Sequence, residues 1–149
     1  MLTLKTKDKE VVLNATMIKV VNFTKNEKIE NFKDSFFKNM GKVNYEFLAK
    51  LIMHFAEDGK KIFNNDDNRV YEFIEAWGEE NEYNYENLYS QIAEEINTKS
   101  FFGKKMTEEE MEQAKNDPLT DFDIDQVLSK TAEKVIGEVA EKEFQGYRG

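Results

Sequence analysis

The chain has 149 residues and a mass of 17.5 kDa, enough for one domain with a substantial core. Its formal charge is −9 and it contains no Cys and one His, so general phosphate binding, disulfides, thiolate sites and most histidine metal sites are disfavoured. A mean hydropathy of −0.73 with 40% apolar residues argues against a membrane protein and against a disordered chain. Because the first residues lack the pattern of a signal peptide, we expect a cytoplasmic protein without membrane or nucleic-acid partners.

The chain begins with a strand pattern. Apolar and polar residues alternate over residues 2–6, and a polar turn at residues 7–9 precedes the apolar residues 11–13, which predicts a short β-hairpin. The following segment is ambiguous. Asn14 suits the cap of a helix carrying Met17, Ile18 and Val21, whereas the adjacent Val20 and Val21 suit a strand equally well.

Three segments with helical periodicity follow. Helices are predicted to begin near residues 28, 44 and 67, with Gly41 and Gly78 as helix stops after the first and third. Their apolar stripes comprise Ile29, Phe32, Phe36 and Met40; Leu48, Leu51, Ile52 and Phe55; and Val70, Phe73, Ile74 and Trp77.

The remainder of the chain also favours helices. Asn84 is a suitable cap for a fourth helix, and Thr107 with Glu110 forms a capping box for a short fifth one. Pro118 then breaks the chain before a long helix over residues 123–143. We therefore predict a mainly α fold: a compact helical domain with an N-terminal β-hairpin over residues 1–117, and a C-terminal helical arm over 118–149 able to dock on a neighbouring subunit.

No motif indicates catalysis. His54 precedes Asp58 by one helical turn, an arrangement typical of a solvated pair. The acids of residues 121–125 imitate the start of a calcium loop, but Gln126 stands where that loop needs glycine. Nucleotide loops and nucleophile elbows are missing. We expect no enzymatic activity, no cofactor and no metal.

Aromatic residues crowd the middle of the chain, beyond what the helical stripes require. Rings off the stripes suit an exposed surface for a partner, although burial by the C-terminal helix remains an alternative. The predicted partner-binding residues are Phe36, Phe37, Tyr45, Tyr83, Tyr85, Tyr89, Phe101 and Phe102. The predicted self-association residues, on the last helix, are Leu128, Val135, Ile136, Val139 and Phe144.

Several segments resemble one family. Residues 2–5 and 11–14, the apolar helix over 18–23, and the blocks 71–77 and 84–89 are similar to the tail assembly chaperones of long-tailed phages of Gram-positive bacteria. The tape-measure chaperone type of lactococcal siphophages is the most similar. The family has no catalytic motif, and residues after Pro118 align least well.

The resemblance implies a non-enzymatic late protein that binds apolar and aromatic helical repeats of the tape measure protein, forms homo-oligomers in the host cytoplasm and is absent from the finished virion. Charge adds support, because residues 1–69 carry a net +3 and residues 71–149 a net −12, and an acidic half keeps a complex soluble. Two alternatives remain: an acidic inhibitor that mimics DNA, and a structural tail or capsid subunit.

Overall fold

The computed structural model describes residues 1–116, and the mainly α fold with a short N-terminal hairpin is confirmed over this range. The elements are β1 (Leu2–Lys5), β2 (Glu10–Leu13), α1 (Met17–Asn26), α2 (Phe32–Lys42), α3 (Tyr45–Phe55), α4 (Gly59–Ile62), α5 (Asp67–Glu79), α6 (Tyr85–Thr98) and α7 (Glu108–Asn116). The predicted long C-terminal helix lies outside the described residues.

The hairpin is antiparallel, with Leu2 opposite Leu13 and Lys5 opposite Glu10. Its turn closes where the Thr6 amide donates to the Lys9 carbonyl at 2.8 Å. Alternation of side chains along the strands turns Leu4, like Leu13, into the core. The period of two in the sequence therefore predicted the hairpin correctly.

Helix α3 is the central element. It buries side chains around most of its circumference, and α1, α4 and α5 pack against it. The hairpin is tied to its end, because the Asn14 amide donates to the Phe55 carbonyl at 2.9 Å and the Glu57 amide donates to the Val12 carbonyl at 2.8 Å. The buried side chains of α3 are Leu48, Ala49, Leu51, Ile52, Met53 and Phe55.

Short polar side chains begin the helices, as the sequence predicted for α3, α5 and α6. Asn44, Asp66 and Asn84 each accept a hydrogen bond from a backbone amide in the first turn of the following helix. Helix α1 resolves the ambiguity of its segment, and its cap is Thr16 rather than Asn14.

Other predicted boundaries were wrong. Helix α2 begins at Phe32, after the Asn31 cap, so the preceding Ile29 is not helical. The two predicted glycine stops lie inside helices, and α2 ends instead where Val43 adopts a left-handed conformation with φ of 51°. Gly78 allows the Tyr85 side chain to contact the helix, since a Cβ at this position would lie 2.3 Å from the Tyr85 hydroxyl oxygen.

Residues 1–108 form one compact unit. The second unit begins at residue 109 and therefore contains all of α7 except Glu108. Helix α7 begins at Glu108, directly after Thr107, where the sequence predicted a helix start, and within it Lys115 and Glu112 form an ion pair at 3.3 Å. The predicted domain boundary at residue 117 stays a prediction. Over the described part of the chain, no helix is long and apolar enough to cross a membrane.

Gly59 gives a direct test of the α3 to α4 junction. A Cβ at this position would lie 2.0 Å from the Met53 carbonyl oxygen, so Gly59→Ala must displace backbone. We expect it to lower the free energy of unfolding by about 1–3 kcal/mol in chemical denaturation. The matched control is Gly41→Ala, at an exposed position within α2, which should be neutral or raise stability by up to about 1 kcal/mol. Equal effects of the two substitutions would contradict the packing of this junction.

Candidate partner-binding surface

Four of the eight predicted partner-binding rings lie in the core. Phe36, Phe37, Tyr89 and Phe102 are all buried and pack against one another in an aromatic cluster. Within it the ring centroids of Phe37 and Phe102 are 4.8 Å apart, and those of Phe36 and Tyr89 are 6.0 Å apart. Aromatic pairs in edge or tilted contact at these distances gain stabilising free energy in addition to that from the area that they bury.

One buried side-chain amide, that of Asn97, holds the loop between α6 and α7 near this cluster. The Asn97 side chain donates to the Met106 carbonyl at 2.9 Å and accepts from the Met106 amide at 2.8 Å. Both atoms of the buried side chain are thereby paired, and the loop is held against the domain. Phe102 consequently turns inward, whereas the neighbouring Phe101 is half-buried.

Tyr89 is fixed in the cluster by its hydroxyl group, which donates to the Asn44 carbonyl oxygen. Burial raises the pKa of this phenol, so it remains a neutral donor. The expectation that off-stripe rings such as Phe37 and Phe102 are exposed was therefore wrong. The interior of this domain absorbs more rings than the helical stripes alone had suggested.

The remaining predicted tyrosines do lie together at the surface. Tyr83 is 61% exposed and Tyr45 is 52% exposed, while Tyr85 between them is half-buried. The rings of Tyr45 and Tyr85 meet edge to face at 5.5 Å, and Tyr85 also lies 6.4 Å from the Trp77 ring. We call Tyr45, Tyr83 and Tyr85 the tyrosine surface.

Local backbone geometry places this surface. The Tyr83 amide donates to the Gly78 carbonyl at 2.8 Å, which folds the chain back after α5. Because Gly78 has no side chain, the Tyr85 ring can lie against the helix there. Burial, together with the charge of Glu75 and the two neighbouring phenols, raises the pKa of Tyr85 and keeps its hydroxyl protonated. The surface thus offers rings and neutral hydroxyl groups, the composition typical of protein interfaces.

A second exposed surface was not predicted as a site. On α1, Met17 and Ile18 are each 68% exposed and Val21 is 41% exposed. Positions spaced by three and four residues share a helix face, so these side chains form one apolar patch, which we call the α1 apolar face. The opposite side of α1 is anchored by Phe23, which is buried against Phe55.

The sequence did contain a signal for the α1 apolar face. Five of the seven residues from 17 to 23 are large and apolar, more than one face of a helix can present to a core. The sequence left this segment open between a helix and a strand, and exposed apolar residues were predicted among the aromatics instead. The described domain therefore exposes aliphatic side chains on α1 as well as the rings of the tyrosine surface.

His54, the first polar candidate from the sequence, has a different neighbour from the one predicted. His54 Nε2 lies 3.9 Å from Glu27 Oε2, so the neighbour of this ring is Glu27 rather than Asp58. Burial, followed by the charges of Lys60 and Lys50, lowers the pKa of His54. Among residues 1–116, no group of His, Asp and Glu side chains is arranged to hold a metal ion. The acids at 121–125 and the predicted self-association residues lie outside the described residues.

Comparisons with protein-family models, with curated proteins and with solved structures found no match to this chain.

Burial separates the predicted rings into two groups that mutation can distinguish. Phe102→Ala removes a ring packed between Phe36 and Phe37 and should lower the free energy of unfolding by about 3–5 kcal/mol. Tyr83→Ala removes an exposed ring and should change it by no more than about 0.5 kcal/mol. Chemical denaturation followed by circular dichroism measures both. A Phe102 variant as stable as the Tyr83 variant would show that the ring is not part of the core.

Proposed function

We propose that this protein is a non-enzymatic assembly chaperone that binds apolar helical segments of a partner and keeps that partner soluble. The α1 apolar face carries the proposal, because three large aliphatic side chains stand exposed together on a folded, acidic domain. Exposed apolar patches of this kind are typical of protein interaction sites. An amphipathic partner helix that lies along α1 would bury both apolar faces at once.

The size of the face suits reversible binding. Complete burial of one aliphatic side chain contributes about 1.5–3 kcal/mol, whereas association costs at least about 4 kcal/mol in lost freedom of motion. Three partly exposed side chains therefore hold a helix weakly, which is what a chaperone needs if assembly is to displace it. Several copies bound along one repetitive partner would add their effects through avidity.

The tyrosine surface supports the same function. Tyr45 and Tyr83 supply large rings at little cost in side-chain freedom, and the neighbouring acids Glu75 and Glu79 keep the rim hydrated. This surface suits the aromatic repeats of a partner, while the α1 apolar face suits aliphatic ones. Acidic charge near the tyrosine surface, and the net charge of −9 of the chain, reduce aggregation of the complex.

The resemblance described above gives the partner and the setting. The tape measure protein of a long-tailed phage is a very long helical chain with apolar and aromatic repeats, and such repeats associate when they are unassembled. The proposed chaperone acts in the host cytoplasm during tail assembly, forms homo-oligomers and does not remain in the virion. Its proposed self-association through Leu128, Val135, Ile136, Val139 and Phe144 stays a prediction.

Co-expression with a tape measure fragment tests the proposal. The wild-type chain should raise the soluble fraction of that fragment, and Ile18→Glu/Val21→Glu should reduce binding about tenfold or more and abolish the rescue. Soluble partner is measured by quantitative gel analysis after centrifugation. Both substituted side chains are exposed, so the variant should unfold at the same denaturant concentration as the wild type.

The control is Asn22→Glu/Asn26→Glu, which adds the same charge to exposed polar positions of α1. It should rescue the partner as the wild type does. No gain in soluble partner with the wild-type chain, or equal rescue by both double variants, would contradict the proposal.

The DNA-mimic alternative has one supporting observation, a set of exposed acids on and between α5 and α6. These are Glu72, Glu75, Glu79, Glu80, Glu82, Glu86 and Glu94. Clustered carboxylates can occupy a cleft that binds phosphates, and that binding weakens steeply with salt. Apolar capture persists or strengthens with sulfate. Phosphate contacts are screened over a range on the order of 50 to 300 mM salt. Loss of binding over this range would favour DNA mimicry.

A further inference from the structure

A basic cleft lies between α1 and the junction of α3 with α4, and its lining includes no residue of the two surfaces described above. Its volume is about 630 Å³, within the range of small-ligand sites. Four lysines, one histidine and two asparagine amides line it, and Asp58 is the one acid in the lining. The lysines are Lys19, Lys25, Lys60 and Lys61. This concentration of positive charge contrasts with the net charge of −9 for the chain.

The cations of this cleft differ in their pairing. Lys19 Nζ is already held, at 2.9 Å from Glu57 Oε2 and at 3.1 Å from the Asn14 carbonyl oxygen. Lys25, Lys60 and Lys61 form no ion pair with any described residue, although acids outnumber bases in the chain. Three ammonium groups facing one concavity repel each other and raise the local potential. A multivalent anion would relieve that repulsion.

The lining of the cleft includes the single histidine of the chain. Close contact between Gly59 and the Met53 carbonyl fixes α4 on the end of α3, and this contact places Lys60 and Lys61 at the cleft. His54, on the same helix as Met53, packs edge to face on Phe23 at 5.3 Å. Burial and then the charges of Lys60 and Lys50 lower the pKa of His54, so the positive potential of the cleft acts on this ring. The charge of Asp67 opposes this lowering of the pKa. Glu27 Oε2 also lies 3.9 Å from His54 Nε2.

We propose that this cleft binds a compact oligophosphate, meaning a small anion with two or more linked phosphoryl groups. Lysine ammonium groups bind phosphate as point charges, and the Asn22 and Asn26 amides add donors. A single carboxylate carries too little charge to engage three separated cations. An extended nucleic acid is disfavoured because its phosphate chain would pass the carboxylates of Glu27, Glu57 and Asp58 at and beside the lining. This inference is independent of the proposed function, since it uses neither exposed apolar face.

The single His makes the test direct, because its ring gives one resolved signal in NMR spectra of the full chain. Sodium tripolyphosphate is titrated in a phosphate-free buffer at constant ionic strength, and the pKa of His54 is followed with and without the anion. Binding should shift the His54 resonances in a saturable manner and raise the pKa of the ring, because bound negative charge stabilises the imidazolium form. The absence of a saturable shift at millimolar anion would overturn the proposal.

Two double variants separate a site from general charge. Lys60→Gln/Lys61→Gln removes two cations from the cleft and should weaken binding at least about tenfold. Lys7→Gln/Lys42→Gln removes the same charge from exposed positions that do not line the cleft, and should leave the affinity within about twofold. Equal losses in the two variants would refute a defined site.

The source of the phosphates is distinguished by the ligand series. If the chain binds tripolyphosphate and ATP with equal affinity, the ligand is an inorganic anion. If it binds ATP more tightly, the ligand is a nucleotide whose base contacts Met53 and Ala56 in the lining. Either order supports the cleft. A short DNA duplex that binds more tightly than tripolyphosphate and displaces it would overturn the proposal in favour of nucleic-acid binding.

Discussion

Burial of helix α3 is the constraint on which the rest of the described structure depends. Because this helix is apolar around most of its circumference, it can exist in water only when other elements cover it. Helices α1, α4 and α5 pack against it, and the hairpin is hydrogen-bonded to its end. The aromatic cluster around Phe36 and Phe102 completes this interior. Once these demands are met, α1 is left with apolar side chains that have no place inside.

Local rules predicted much of the fold. Alternation identified the hairpin, and cap residues such as Asn44, Asp66 and Asn84 marked helix starts within one residue. Gly41 and Gly78 misled because glycine both ends helices and permits close packing, and only the neighbouring Tyr85 shows which role applies at the second. Sequence periodicity contains no information about such a neighbour in the folded structure.

The candidate surfaces were only partly predictable. Tyr83 was identified because a ring that precedes its helix has no obvious burial. The same reasoning was wrong for Phe37 and Phe102, whose burial depends on a loop held by Asn97. Exposure is a property of tertiary packing, so a segment with two apolar stripes, such as α1, does not reveal which stripe is covered.

Charge is divided over the domain in a way that fits two separate uses. Acids occupy exposed positions on and around α5 and α6, near the tyrosine surface, while Lys25, Lys60 and Lys61 line the cleft beside α1 and α4. The proposed chaperone function uses the apolar and aromatic surfaces and needs the acids for solubility. The proposed anion site uses the lysines and needs neither surface. The two proposals use different residues, so Lys60 and Lys61 can be changed without altering either exposed surface.

Hydroxyl-radical footprinting of the full chain, alone and bound to a tape measure fragment, tests the central claim most directly, since it reports which side chains are accessible. The account predicts that Met17, Tyr45 and Tyr83 are oxidised in the free protein and protected in the complex, while Phe36 and Phe37 are unreactive in both. Oxidation of the buried phenylalanines in the free protein, or an unchanged reaction of Met17 and the tyrosines on binding, would contradict it.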